Sequence, residues 1–180
     1  MKTYVIIVSS TFPSTHQSKG QNTHFKEKIE IGLGRYEATG FLDGISRNWT
    51  NIDVPKIHTI RSNYPLWEKR ISKVLKYEAI ISLRYWELPG GCYTKGNKQI
   101  EIARLSADDN IGIQELRFEE GGFFFPTVIV EEGGIEKYKR CAIDKLAKAD
   151  GLSFEDFEAW FKGYDLSKSM PIIHFTNFRY

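Results

Sequence analysis

The chain has 180 residues, 41% of them hydrophobic, 14% aromatic and 27% charged, with a formal net charge of +2. That length supports one sizeable core and leaves two independent cores marginal, and the aromatic content excludes a disordered tail. Near-neutral charge argues against tight non-specific binding to long RNA, whose affinity comes from many phosphate contacts, and no apolar run approaches the ~20 residues of a membrane span.

Lys2 to Ser9, rich in Val and Ile, predicts a buried first strand that ends at the turn signals Ser9-Ser10-Thr11-Phe12-Pro13. Its apolar part, Tyr4 to Val8, is shorter than the ~7 to 15 residues of a secretory h-region, so no signal peptide and a cytoplasmic location are expected. Phe25, Ile29 and Leu33 then mark one face of a short helix from His24 to Ile31, closed by Gly32 and Gly34. Gly34 to Pro55 holds neither a period of 2 nor one of 3.6 and reads as an inserted excursion.

Lys56 to Arg61 predicts a strand delivered by Pro55. Ser62-Asn63-Tyr64-Pro65 opens a helix with proline in its first turn, and Trp67, Ile71, Val74 and Leu75 form its apolar stripe. Ala79 to Trp86 is a strand and Leu88-Pro89-Gly90-Gly91 a turn; Gln99 to Leu105, Ile111 to Phe118 and Phe123 to Val130 predict three further strands. Glu136 to Ala149 reads as a helix stopped by Gly151, and Ser153 with Asp156 reads as a capping box that starts a second helix over Phe154 to Phe161. Met170 to Tyr180 predicts a final strand. Strands at both termini point to one closed sheet, so the expected class is α+β.

Charge is unevenly placed. Between Pro55 and Tyr85 seven Lys and Arg stand against two Glu, a net of +5, while between Glu101 and Trp160 fourteen Asp and Glu stand against seven Lys and Arg, a net of −7. A basic middle suits a phosphate-bearing partner, and a solvated helix face over Lys69, Arg70, Lys73 and Lys76 accounts for it equally well. Arg61 and Arg84 have the guanidinium geometry for bidentate phosphate binding or for internal ion pairs. His58 and His174 are candidate acid/base or ligand-binding groups, or hydrogen-bonded structure. Tyr64 and Tyr85 lie beside these cations and offer faces on which a base can stack, whereas Trp67 belongs with the core stripe. Cys92 and Cys141 lack the spacing of a zinc or redox pair, and no phosphate-cradling Gly-rich loop occurs, so no metal and no cofactor are expected.

Phe25 with Lys28-Ile29, followed by Lys56-Ile57-His58-Thr59-Ile60-Arg61, resembles the signature of the ASCH family, a helix leading into a KxxTxR-type strand. Ala79 to Trp86, Ile111 to Gln114, Asp150 to Ser153 and His174 to Tyr180 look like a phage- and Bacteroidetes-associated branch of it. The resemblance covers nearly the whole chain, with residues 34–54 and 119–134 as insertions into a smaller family core. It implies a single PUA-like (ASCH) domain over residues 1–180, a small mixed β-barrel with flanking short helices and a cleft for RNA or a modified nucleoside or nucleotide.

Some ASCH proteins are amidohydrolases that remove the acetyl group of 4-acetylcytidine with a lysine, a threonine three residues later and a downstream acid. Lys56 and Thr59 match the first two; the acid falls at Asp150, where the family enzyme carries Glu. A threonine hydroxyl needs a base to become nucleophilic, a desolvated lysine can serve, and a carboxylate can orient that base or manage the leaving-group proton. Positions three apart in a regular strand point to opposite faces, so Lys56 must sit in the approach to the strand while Thr59 and Arg61 share a face.

The first expectation is therefore an ASCH-type domain that binds nucleic acid or a modified nucleoside in a cleft lined by Lys56, His58, Thr59, Arg61, Arg84 and Asp150. An amidohydrolase acting on an acylated cytidine-type base through Lys56, Thr59 and Asp150 is the alternative. A protein-interaction module with a vestigial cleft is the third.

Overall fold

In a computed structural model of the chain, residues 1–35, 54–119 and 126–180 are described. The elements run β1 (Lys2–Ile7), α1 (Phe25–Gly32), β2 (His58–Ile60), α2 (Tyr64–Leu75), β3 (Ala79–Trp86), β4 (Gln99–Leu105), β5 (Gly112–Phe118), β6 (Pro126–Glu132), β7 (Ile135–Arg140), α3 (Ile143–Ala149), α4 (Phe154–Phe161) and β8 (Met170–His174). Most of the excursion at 34–54, and residues 123–125 of the expected sixth strand, lie outside the described residues.

The strands form a three-stranded sheet, β1-β3-β4, and a five-stranded sheet, β2-β8-β5-β6-β7. The class is α+β as expected, but the two termini enter different sheets and no closed barrel forms among the described residues. β1 runs parallel to β3, from Lys2 opposite Ala79 to Ile7 opposite Arg84, whereas β8 lies between β2 and β5. A parallel pair needs a long crossover, and α1, β2 and α2 supply it. Helix α2 packs against β3 of one sheet and β5 and β8 of the other. Ile6 and Ile81 of the first sheet thereby share one core with Ile71, Leu116, Ile172 and Phe157.

Two element readings need correction. Glu136 to Ala149 is not one helix: Glu136–Arg140 belongs to β7, which pairs with β6 from Thr127 opposite Arg140 to Glu132 opposite Ile135. Gly133 and Gly134, at φ of 64° and 77°, make the tight turn whose handedness matches the twist of a hairpin, and pairing to β6 then captures the backbone groups a helix would use. The helix begins only at Ile143. The last strand likewise ends at His174 rather than Tyr180, and the tail turns back over β5. The described part of the supposed insertion at 119–134 is mostly β6, a paired member of the five-stranded sheet.

Helix α2 starts as expected, with the Asn63 side chain accepting from the Leu66 amide and Pro65 in the first turn. Trp67, Ile71 and Val74 are buried, but Leu75 is 48% exposed in the last turn. We therefore expect Ile71→Ala to lower stability by about 2–5 kcal/mol and Leu75→Ala by no more than about 0.5 kcal/mol. Denaturant midpoints of the two variants measure this, and equal losses would contradict the packing of α2.

Candidate functional site

Lys56 lies just before β2, as the strand parity demanded. Its amide donates to the Lys28 carbonyl of α1 at 2.9 Å, and the next amide, of Ile57, donates to the Ala149 carbonyl at the end of α3 at 3.0 Å. The approach to the strand is thus clamped between two helices. Helix α3 closes with Gly151 in the left-handed region, φ +77°, where the amides of Gly151 and Leu152 return to the carbonyls of Lys148 and Ala147. A Cβ on residue 151 would also meet the Lys56 Cβ at 3.1 Å and the Lys28 Cδ at 3.3 Å. Glycine therefore sets the helix end and leaves room for two lysine stems.

That helix end grips the Lys56 ammonium, which donates to the Asp150 carbonyl at 2.6 Å and to Asp150 Oδ1 at 2.7 Å. Lys56 is 1% exposed and Asp150 4%. A cation at a helix C-terminus is favoured by the dipole, and the Phe25 ring, 4.2 Å from Nζ, adds a cation–π contact. Lys28, also buried, donates to the Gly151 carbonyl at 2.7 Å.

Burial pulls the Lys56 pKa down to about 8; the Asp150 carboxylate opposes this, and the Arg61 and Lys28 charges add to it. Burial alone would raise the Asp150 carboxyl, but Lys56 and His58 outweigh it and hold it below the ordinary carboxylate range. The pair is ionised at neutral pH, with a lysine that gives up its proton far more readily than an exposed one.

Lys56, Asp150, Thr59 and Arg61 line one cavity of about 110 Å³, together with Phe25, Trp160 and Tyr164. The Thr59 hydroxyl has no hydrogen-bond partner among the described residues. Arg61 donates from Nη2 to the Ile7 carbonyl at 2.6 Å, while its buried Nε has no partner among the described residues. Sites that enclose whole small molecules are usually ~300–1,000 Å³. This one holds only a few waters at ~30 Å³ each, or one small planar group of a larger ligand.

The other expected residues lie elsewhere. His58 faces away from the cavity: its Nε2 is 2.8 Å from the Tyr180 hydroxyl and its Nδ1 3.6 Å from Asp150 Oδ1, a charge–dipole contact longer than a hydrogen bond. His174 sits opposite His58 in the β2–β8 register, fully buried, with neither ring nitrogen partnered among the described residues. Burial keeps both imidazoles well below the ordinary histidine pKa, so both are neutral. Tyr64 reaches Glu68 at 3.3 Å. Arg84 donates from Nε to Ser82 and lies 3.7 Å from Glu101, an internal pairing within the three-stranded sheet. Tyr85 packs on the edge of the core. None of these three lines the cavity. Phe25, Lys28, Trp160 and Tyr164 escaped the sequence reading as site residues; Phe25 and Lys28 stood in the quoted motif, and their i,i+3 spacing on one helix face was the available signal.

No group of three or more metal-ligating side chains occurs among the described residues, and no helix there is long and apolar enough to cross a membrane. Comparison of the chain with family models, with curated proteins and with solved structures returned no match.

Removing one partner of a buried ion pair strands the other charge. Asp150→Asn should therefore destabilise the fold by about 3–5 kcal/mol at pH 7. Asp150 raises the folded-state pKa of Lys56, so in its absence the buried amine gives up its proton at lower pH; the deficit should therefore shrink as pH rises to about 8, above which folded Lys56 is neutral in both proteins. Urea titrations of both proteins at pH 7 and pH 10 test this; a deficit independent of pH would contradict it. The neutral imidazoles act at the other end of the scale. Their folded pKa values lie below 6.5, so the stability they support is complete above that pH and is lost as pH falls through it. His174→Phe should flatten the acid side of a stability–pH curve, and an unaltered curve would refute the assignment.

Proposed function

We propose that the chain is an amidohydrolase that removes a small acyl group from the exocyclic amine of a cytidine-type base. One observation carries the proposal: a fully buried lysine of pKa about 8, paired to a carboxylate at 2.7 Å, shares a small cavity with a threonine hydroxyl that has no hydrogen-bond partner among the described residues. That is the equipment of an activated nucleophile. The acylated cytidine-type substrate and the single PUA-like domain rest on the ASCH resemblance, and the cavity volume fits the acyl group with the rest of the nucleoside outside.

In the proposed reaction, neutral Lys56 takes the proton of the Thr59 hydroxyl as Oγ1 attacks the acyl carbon. Arg61, whose buried Nε has no partner among the described residues, faces the negative charge that develops on the carbonyl oxygen. The carbon–nitrogen bond breaks, the departing amine takes the proton from Lys56, and an acyl ester of Thr59 remains. Water then attacks the ester, giving a proton to Lys56. The carbon–Oγ1 bond breaks and Oγ1 reclaims that proton, releasing the carboxylic acid. Asp150 holds the ammonium in place between the transfers.

The same ion pair favours a second reading. With a pKa of about 8, only about a tenth of Lys56 is neutral at pH 7, and the charged form is a hydrogen-bond donor suited to a nucleobase carbonyl. Recognition of a modified nucleoside without turnover is therefore the runner-up.

Incubation with a panel of acylated cytidines, followed by chromatography, separates the two. We expect deacylation whose kcat/KM climbs with pH to a plateau above about 8. Thr59→Val should abolish it without unfolding, and Lys56→Met should lower it by about 100- to 10,000-fold. Asp150→Glu, which restores the longer carboxylate of the family enzyme, should retain activity. If wild-type protein at pH 9 leaves every acylated cytidine intact yet binds nucleosides, the hydrolase reading fails and recognition replaces it.

A further inference from the structure

We infer that Tyr180 and His58 form a positioning relay behind the ion pair: the Tyr180 hydroxyl donates to His58 Nε2, which fixes the imidazole proton on Nδ1 and turns it toward the Asp150 carboxylate. The catalytic consequence rests on the amidohydrolase reading; the tautomer rests on geometry alone.

A neutral imidazole has one N–H and one lone pair. On one side of His58 stands Asp150 Oδ1, 3.6 Å from Nδ1, and that carboxylate can only accept. A lone pair on Nδ1 would face a negative oxygen, so the proton belongs there. Nε2 is then the acceptor, and its neighbour at 2.8 Å is a phenol with a proton to give. The ring of His174, 5.6 Å from that of His58 and 6.0 Å from that of Tyr180, closes the remaining side and makes no hydrogen bond of its own among the described residues. With Asp150 Oδ1 also 2.7 Å from Lys56 Nζ, one oxygen is addressed from two sides. Orientation of a reactive group through a histidine by a third partner is a recurrent device at metal and hydrolytic sites.

The placing of Tyr180 is built into the fold. After β8 the Phe175 amide ties back to the Ile57 carbonyl at 2.8 Å. Arg179 donates to the carbonyls of Thr176, Phe178 and Asn110 at 2.7, 2.6 and 2.9 Å, and its guanidinium lies where a Cβ on Gly112 would be. The Tyr180 amide then donates to Gln114 Oε1 at 2.9 Å. Gly112 and Gln114, two apart on β5, thus seat the tail so that its phenol reaches His58. Nothing in the cavity lining requires this arrangement, since neither His58 nor Tyr180 lines it.

The test uses the full chain with nitrogen-15-labelled histidine. In the wild type we expect the His58 signals of the Nδ1-protonated tautomer. Tyr180→Phe should yield a mixture of tautomers, and Gly112→Ala, which displaces Arg179 but keeps the phenol, should shift the balance the same way. On an acylated cytidine both variants should lose kcat by about 10- to 100-fold, the range typical of partners that orient a histidine, with KM unchanged. An Nε2-protonated His58 in the wild type would overturn the relay, as would unchanged kcat in Tyr180→Phe. Absence of wild-type turnover alone would sink the hydrolase reading and leave the tautomer result to decide the relay.

Discussion

An ammonium group enclosed to 1% exposure imposes a condition on everything around it, because an isolated buried charge is too costly to persist. Around Lys56 that condition is met by one helix end. The carbonyl and the carboxylate of Asp150 both accept from Nζ, Gly151 bends the chain so that the lysine stem fits, and α1 and α3 hold the preceding backbone. Replacing such a pair by apolar groups of similar volume is often neutral or stabilising. Stability alone is thus a weak reason to keep a lysine there. Chemistry is a stronger one, since burial gives the amine a proton affinity near the neutral range.

Local pattern carried much of the fold. Ala79–Trp86 and Gln99–Leu105 are strands with the bounds their composition indicated, and Ser153 caps Phe154–Phe161 by accepting from the Asp156 amide. Where the reading failed, the deciding information was non-local or low in contrast. β7 is exposed at all six positions, so its charges offered neither an alternation nor a stripe, and only Gly133-Gly134 announced the hairpin. Which sheet a terminal strand joins depends on partners far along the chain, and alternation within Lys2–Ile7 or Met170–His174 says nothing about that.

The lining of the candidate cavity was legible to the same degree. Parity placed Lys56 ahead of the strand and put Thr59 with Arg61, and the cavity holds all three. Asp150 could be reached only through the family resemblance, since an aspartate before a glycine at a helix end is ordinary capping chemistry. Arg84 carried the same guanidinium argument as Arg61, but β3 lies in the other sheet and gives it Glu101 instead. Trp160 and Tyr164 reach the cavity from the end of α4, and nothing in their own spacing separates a pocket wall from a core stripe.

The ion pair joins positions 94 apart in the chain. Closing so long a loop carries an entropic penalty that must be offset by contacts made elsewhere, and the parallel pairing of β1 with β3 adds a second distant closure. Until the end of α3 docks on the approach to β2, Lys56 is solvated and has the basicity of an ordinary lysine. Its altered proton affinity is a property of that long-range contact, so whatever chemistry it performs is withheld from chains in which the contact has not formed.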